Sequence, residues 1–302
     1  ANTELSYWGY RGLRRHFPRV TFLRFSGENP KRLAQIQPSD VVIGHIGETF
    51  AKASERTRRL ISFGPWVGHE DHSTSVGPHS TPAHEEMALY NKAISLILLT
   101  SEYNQREYVE KARNFWHPYF CQFKGNIRVV HQPIDLNVFR RIKHDYRTND
   151  FLYIGHFGHM KCVGTSEKLV AKLGRTLHLF GSEKRRLDNL DETQVRELPC
   201  LADFFIQPGM WEGQCVAILE AAARGFIPVV SPETGYPYHH PFILRYNDFD
   251  SNLKTLKQLI NTSAEERKEL ADGLHNRLAT DIEHNTWDRL TNVLVEEVQK
   301  LY

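Results

Sequence analysis

The stretch from Ala202 to Pro232, ADFFIQPGMWEGQCVAILEAAARGFIPVVSP, leaves little room for alternative folds. A short apolar run (Phe204 to Gln207) meets a Pro208-Gly209 turn. A helical segment follows, stops at Gly225, and gives way to a second apolar run (Ile227 to Ser231). Strand, helix and strand in so few residues make a βαβ segment, whose two strands run parallel. It contains two carboxylates, Glu212 at the loop-to-helix junction and Glu220 further along the helix. Glu220 lies in Val-Ala-Ile-Leu-Glu-Ala-Ala-Ala, a run expected to pack on a sheet, where a charge is costly unless something hydrogen-bonds to it. An ion pair with an internal Arg or Lys is one solution, and a bound ligand is the other.

The same alternation of short apolar strands and helices runs through the chain and predicts parallel α/β sheets. The first half reads as helix 3–17, strand Val20 to Phe25, helix Pro30 to Ile36, strand Asp40 to Ile46 and a helix reaching Arg59. Strand Leu60 to Phe63, helix Pro82 to Asn91, strand Ala93 to Leu99, a helix capped by Ser101 and strand Ile127 to His131 follow. Residues 64–86 form a long irregular segment after a strand's carboxyl end, where α/β sheets bind ligands. His69, Glu70, Asp71 and His72 are therefore candidates for substrate contact, although for each one alone a loop hydrogen bond is the simpler reading. The polar run 140–150, RRIKHDYRTND, reads as a linker.

The second half restarts with strand Phe151 to Ile154, the loop Gly155 to Lys161, helix 165–173, strand Thr176 to Phe180 and the turn Gly181-Ser182. A polar helix-like stretch (184–198) leads into the opening βαβ segment. Helices 249–260, 264–280 and a last one from Thr286 to Leu301 close the chain, the second marked by a Ser263/Glu266 capping box. The expected organisation is two α/β domains facing across a cleft, residues 1–140 and 151–285, closed by a C-terminal helix, 286–302.

Composition narrows the partners. No stretch approaches an uninterrupted apolar membrane span, and no positive-then-apolar leader is visible, so a cytoplasmic protein is expected. The four cysteines and sixteen histidines are scattered, which favours reduced thiols and no metal site. Residues 1–141 carry 19 Lys and Arg against 13 Asp and Glu, and the remainder 19 against 23. A basic half rich in arginine (Arg11, Arg14, Arg15, Arg19, Arg24) suits an anionic partner: a membrane surface touched peripherally, a phosphorylated acceptor or nucleic acid. No nucleic-acid-binding pattern accompanies it, so nucleic acid is not expected.

In the second half, the loops after the strands share one rim of a parallel sheet. The helix after Gly213 offers unpaired amides there, an anion site by geometry and dipole. Lys161 can neutralise a phosphate on that rim, and Glu220 can accept from vicinal hydroxyls as acidic residues do for ribose. No GxGxxG follows a strand and no GxxxxGKS/T is present, so neither a nicotinamide cofactor nor ATP hydrolysis has motif support.

Glu212 and Glu220 have the Glu-x7-Glu spacing of retaining glycosyltransferases of the GT-B type, and their surroundings resemble family 4 of that group. HQPIDLNVF (131–139) resembles the family's "pNGiDlerF", FLYIGHFGHMK (151–161) its "lyvGRl…eKG", and LHLFGS (177–182) its "l.ivG.G". The opening stretch, continued to Gly235, resembles "aDvfvlPS..EGfglvllEAmA.G.PVvasd.gG". The likeness is specific from Asn126 to Gly235 and topological before that; it implies two Rossmann-like domains, with the last helix, opened by Trp287, crossing back to the first. It implies that Lys161 holds the donor pyrophosphate, assisted by His156, and that Glu220 holds the ribose hydroxyls. It further implies that Glu212 binds the transferred sugar, with the amides of Gly213, Gln214, Cys215 and Val216 beside the phosphate and sugar, and that His69 is the first-domain histidine near the sugar, with His45 the second choice. Three positions depart from the pattern: His156 stands for an arginine, Cys162 for the glycine after the lysine, and Thr234 for a loop glycine. The family's first strand and its glycine-rich loop are not recognisable ahead of residue 3, so that loop is either lost or rebuilt.

The expected activity is transfer of a sugar, of hexosyl type, from a UDP- or GDP-sugar co-substrate to a lipid-linked or glycan acceptor, without metal or other cofactor. A non-catalytic sugar-nucleotide-binding protein is the alternative, and an epimerase of similar architecture is a weaker one.

Overall fold

The computed structural model describes residues 13–17, 34–44, 53, 55–63, 94–103, 105–106, 126–132, 134–158, 161–181, 192–209, 214–282 and 287–301. The chain divides into two compact units, residues 1–133 with 285–302, and residues 134–284. The strand expected at Val20 to Phe25 and the helix expected at Pro82 to Asn91 lie outside the described residues.

The first unit holds a parallel sheet of β1 (Val42–Gly44), β2 (Leu60–Phe63), β3 (Ile94–Leu99) and β4 (Asn126–Val129), in that order. The helix expected to reach Arg59 does not: residues 55–59 turn into β2, and Thr57 Oγ1 donates to the Asp40 carbonyl at 2.7 Å. A threonine that satisfies its hydroxyl on a nearby carbonyl favours such a turn over a helix. Ile61, Leu96 and Leu98 form the core with Leu13 and with the last helix. That helix, Trp287–Lys300, places Leu290, Val293, Leu294 and Val298 on one stripe, the spacing of a helix face docked on a core. Arg128 of β4 pairs with the buried Glu297 of the same helix, and Lys300 Nζ bonds Glu297 at 2.7 Å.

The second unit is a four-stranded parallel sheet in the order β6-β5-β7-β8: β5 (Phe151–Ile154), β6 (Leu177–Phe180), β7 (Phe204–Gln207) and β8 (Ile227–Val230). Its helices, numbered from here as the chain meets them, are α1 (Val163–Lys172), α2 (Glu192–Leu201), α3 (Val216–Ala223), α4 (Phe249–Ile260) and α5 (Ala264–Ile282); the last helix is α6. Strands β7 and β8 are buried along their whole length, which is why they read as continuous apolar runs rather than alternating ones. Phe151, Phe204 and Phe205 are fully buried, each contributing about 1.5–3 kcal/mol of apolar burial. At α5 the capping box closes as the sequence predicts: Glu266 N donates to Ser263 Oγ at 3.1 Å, and Ser263 N donates to Glu266 Oε2 at 2.7 Å.

Residues 140–150 are not a free linker. Lys143 and Tyr146 are each 1% exposed. Lys143 Nζ pairs with Asp203 Oδ1 at 2.8 Å and donates to the Pro199 carbonyl at 2.6 Å, in the last turn of α2. Tyr146 Oη donates to the Gly225 carbonyl at 2.6 Å, and Arg267 Nη2 donates to the Tyr146 carbonyl at 2.8 Å. This segment covers the amino ends of β5, β7 and β8, with Asp150 and Asp203 receiving the amides that begin the strands. Its charges read as solvated in the sequence because composition does not reveal that Arg141 and Lys143 have partners elsewhere in the unit.

Candidate functional site

The chain enters the sheet of the second unit at β5, moves outward to β6, and then returns past β5 to β7. The strand order therefore reverses between β5 and β7. The crevice beyond their carboxyl ends is the topological switch point, the usual ligand position in an open α/β sheet. Two segments begin there: the loop Gly155 to Lys161 after β5, and the loop from Pro208 into α3 after β7.

The first loop is shaped by close backbone contacts. Gly155 N donates to the Phe180 carbonyl at 2.9 Å, and a Cβ on Gly181 would fall 1.8 Å from the Gly155 oxygen. Only glycine permits the loops after β5 and β6 to approach this closely. His156 is half-buried, with its carbonyl accepting from Tyr153 Oη at 2.7 Å and its ring folded over Gly158. Lys161 is half-buried and closes the loop through its amide, which donates to the Gly158 carbonyl at 2.9 Å. Cys162, next along, has φ 52° and ψ 37° and caps α1. The left-handed conformation explains why glycine is the ordinary residue there.

The second segment starts α3 later than the sequence suggests. Helix geometry begins at Val216, with Cys215 at the cap and no side-chain capping bond. The Cys215 amide donates to the Thr234 carbonyl at 3.0 Å, and its thiol lies 3.5 Å from Gln207 Oε1. Cys215 is thus engaged by the fold, and the amides of Val216 and Ala217, which helix geometry leaves without intrahelical acceptors, are the ones aimed along the helix axis. Thr234, in place of the expected glycine, is fully buried; its Oγ1 donates to the Ser231 carbonyl at 2.6 Å, and the left-handed residue is Gly235 instead, with φ 70°.

Glu220 shares a half-exposed stripe of α3 with Val216, Ala217 and Arg224, while Ile218, Leu219, Ala221, Ala222 and Ala223 face the core. It is therefore not sealed inside the core. Burial pushes the Arg224 guanidinium down and Glu220 opposes that shift, while Arg224 itself stacks over Phe139 at 4.7 Å.

Tyr153 is fully buried, and burial raises its hydroxyl far above the usual phenol range, with Cys215 and Cys162 adding to the effect. The Cys162 thiol is pushed up by burial and then by Glu233, which keeps it protonated near neutrality. His156 and Lys161 follow β5, and Gln214, Cys215 and Val216 follow β7, at the carboxyl edge of one sheet, with Glu220 further along α3. Glu212, Gly213 and His69 lie outside the described residues, as does His45. Sequence reasoning missed Tyr153 and the Gly155–Gly181 approach; the Tyr-x-Gly spacing before a loop and a glycine after the neighbouring strand were the available signals. Among the described residues, no three or more His, Cys, Asp or Glu side chains are grouped to hold a metal ion, and no helix is long and apolar enough to cross a membrane.

Solved structures decide the architecture. The GtfA/B complex matches with a TM-score of 0.57 and 12% identity, over 89% of this chain and 59% of that one. The chain has a GT-B fold. HepE of Anabaena, in complex with UDP-glucose, matches with a TM-score of 0.59 and 11% identity, over 88% of this chain and 81% of that one. The UDP-forming alpha,alpha-trehalose-phosphate synthase of Burkholderia xenovorans, in complex with glucose-6-phosphate, reaches 0.63 at 10% identity, over 89% and 75%. The chain spans 59% of the GtfA/B structure and 55% of TarM, so it covers little more than half the length of these two. No family model and no curated protein matches the sequence.

Proposed function

We propose that the chain is a retaining glycosyltransferase that takes a sugar from a nucleoside-diphosphate donor, UDP- or GDP-linked, to an acceptor hydroxyl. The observation that carries this reading is the convergence of the Lys161 loop and the amino end of α3 on the switch point between β5 and β7. A cation and a helix amino terminus on one rim suit a diphosphate, and Glu220, on the half-exposed stripe of the same helix, suits the ribose hydroxyls. The known structures of this fold in complex with UDP-glucose or forming UDP point to the same class of donor.

In the proposed reaction the bond between the sugar C1 and the diphosphate oxygen breaks, and the diphosphate leaves with the electron pair. Lys161 and the amides of α3 stabilise the charge that develops on it. The acceptor oxygen bonds C1 from the same face, and its proton passes to the departing phosphate. Glu212 and His69 would hold the transferred sugar, Glu212 as a hydroxyl acceptor rather than a nucleophile. Transfer chemistry of this kind is tested by incubating the protein with UDP-, GDP- and ADP-sugars and measuring release of nucleoside diphosphate. Release with one donor supports the reading.

A second reading, a non-catalytic binder of nucleotide sugars, draws on His156 standing where the resemblance implies an arginine, since imidazole carries its charge only conditionally near neutral pH. Micromolar donor binding without turnover would favour it.

A further inference from the structure

We propose that Tyr153 is a positioning residue for the diphosphate grip, its hydroxyl fixing the backbone of the segment that leads from β5 towards Lys161; the inference rests on the donor reading above. The ring alone has an ordinary core role. It is fully buried in β5, stacks on Phe205 at 6.1 Å and leans on Phe157 at 6.0 Å. A phenylalanine would fill that space equally well. The hydroxyl is different, because a buried O–H needs a partner and its removal leaves that partner's lone pair unmet.

Its partner is the His156 carbonyl, 2.7 Å away, in the loop that ends at Lys161. Tyr153 Oη lies 3.0 Å from where a Cβ on Gly155 would sit, so the hydroxyl stands close over the loop's first residue as well as holding its second. From the other side, Gly181 packs against the Gly155 oxygen. The base of the loop is therefore wedged between Tyr153 and the end of β6. Downstream, Lys161 N donates to the Gly158 carbonyl at 2.9 Å, which ties the lysine's backbone to the same segment.

The test is Tyr153→Phe, titrated calorimetrically with UDP and with uridine, and in parallel with GDP and guanosine, with the urea midpoint measured alongside. Loss of one hydrogen bond at the grip predicts that diphosphate affinity falls about 3–10-fold while nucleoside affinity is unchanged. A merely structural hydroxyl would move the urea midpoint and leave the ratio of diphosphate to nucleoside affinity as in the parent. That unchanged ratio overturns the inference. If the parent protein itself binds neither UDP over uridine nor GDP over guanosine, the donor reading falls and takes the inference with it.

Discussion

The backbone amide of Cys215 donates to the carbonyl of Thr234 over 3.0 Å, which stitches the start of α3 to the loop after β8. The seam continues through Thr234 Oγ1 to the Ser231 carbonyl at 2.6 Å, and through Ser231 Oγ to the Gly209 carbonyl at 2.6 Å. Gly209 and Cys215 are therefore both tied to the segment after β8. Ser231 is fully buried, so Ser231→Ala leaves the Gly209 carbonyl without its donor and should cost about 1–3 kcal/mol. Urea unfolding measures it; a loss below about 0.5 kcal/mol, as at an ordinary surface site, would mean the seam is not a structural tie.

Cys162 sits at φ 52° between Lys161 and α1. A non-glycine residue in that region carries a conformational cost of about 1–2 kcal/mol. Cys162→Gly removes this cost and gives back part of it as freedom of the unfolded chain, about 0.4–1 kcal/mol. The variant should therefore be more stable by about 0.5–1 kcal/mol in urea unfolding. Destabilisation would show that the thiol's packing outweighs the backbone term.

His240 links pH to stability. Burial pushes its pKa down to about 4, and His239 and Arg277 repel its charged form, against the bond to the Pro228 carbonyl, which favours protonation. Its Nε2 lies 2.7 Å from that carbonyl, and its Nδ1 accepts from Phe242 N at 3.3 Å. The folded value lies below the unfolded one, so the contribution is full above about pH 6.5. It declines as the unfolded state takes up the proton and levels off below about pH 4, for a total near 3 kcal/mol. His240→Gln should flatten the fall in urea midpoint between pH 6.5 and 4. Parallel curves for parent and variant would contradict the assignment.

The Lys143–Asp203 pair separates a packed segment from a linker. Both side chains are almost wholly buried, at 2% and 0% exposure. Lys143→Met strands the carboxylate in the interior, with Arg267 Nε at 3.8 Å as its remaining cation. Breaking a buried pair in this way costs about 3–5 kcal/mol, whereas a linker lysine would cost almost nothing. Thermal or urea unfolding of the variant reads the difference directly.

These contrasts show which parts of the fold were legible in the sequence. The β7-α3-β8 segment was readable because strands buried on both faces leave unbroken apolar runs, and the Ser263/Glu266 box because its two bonds are local. Residues 140–150 were not, because Arg141, Lys143 and Arg147 look solvated until Asp272 and Asp203 are found next to the first two. The site was half legible. Glu220 and Lys161 stood out as charges beside apolar strands, but the approach of Gly181 to Gly155 joins backbone atoms of different strands and leaves no periodic trace. The start of α3 was misread for a similar reason: the Thr234 carbonyl that takes the Cys215 amide lies beyond the next strand.

The proposed donor site is the rim between β5 and β7, with Lys161 and Glu220 holding a nucleoside diphosphate. Calorimetric titration of UDP and GDP into the parent protein, Lys161→Ala and Glu220→Ala tests it most directly, with circular dichroism confirming that the variants fold. The parent should bind one of the two nucleotides. Glu220→Ala, on the half-exposed stripe of α3, should lose that binding with its fold intact, and Lys161→Ala should lose affinity for the diphosphate while keeping that for the nucleoside. Undiminished affinity in both variants, or collapse of the fold in Glu220→Ala, would contradict it.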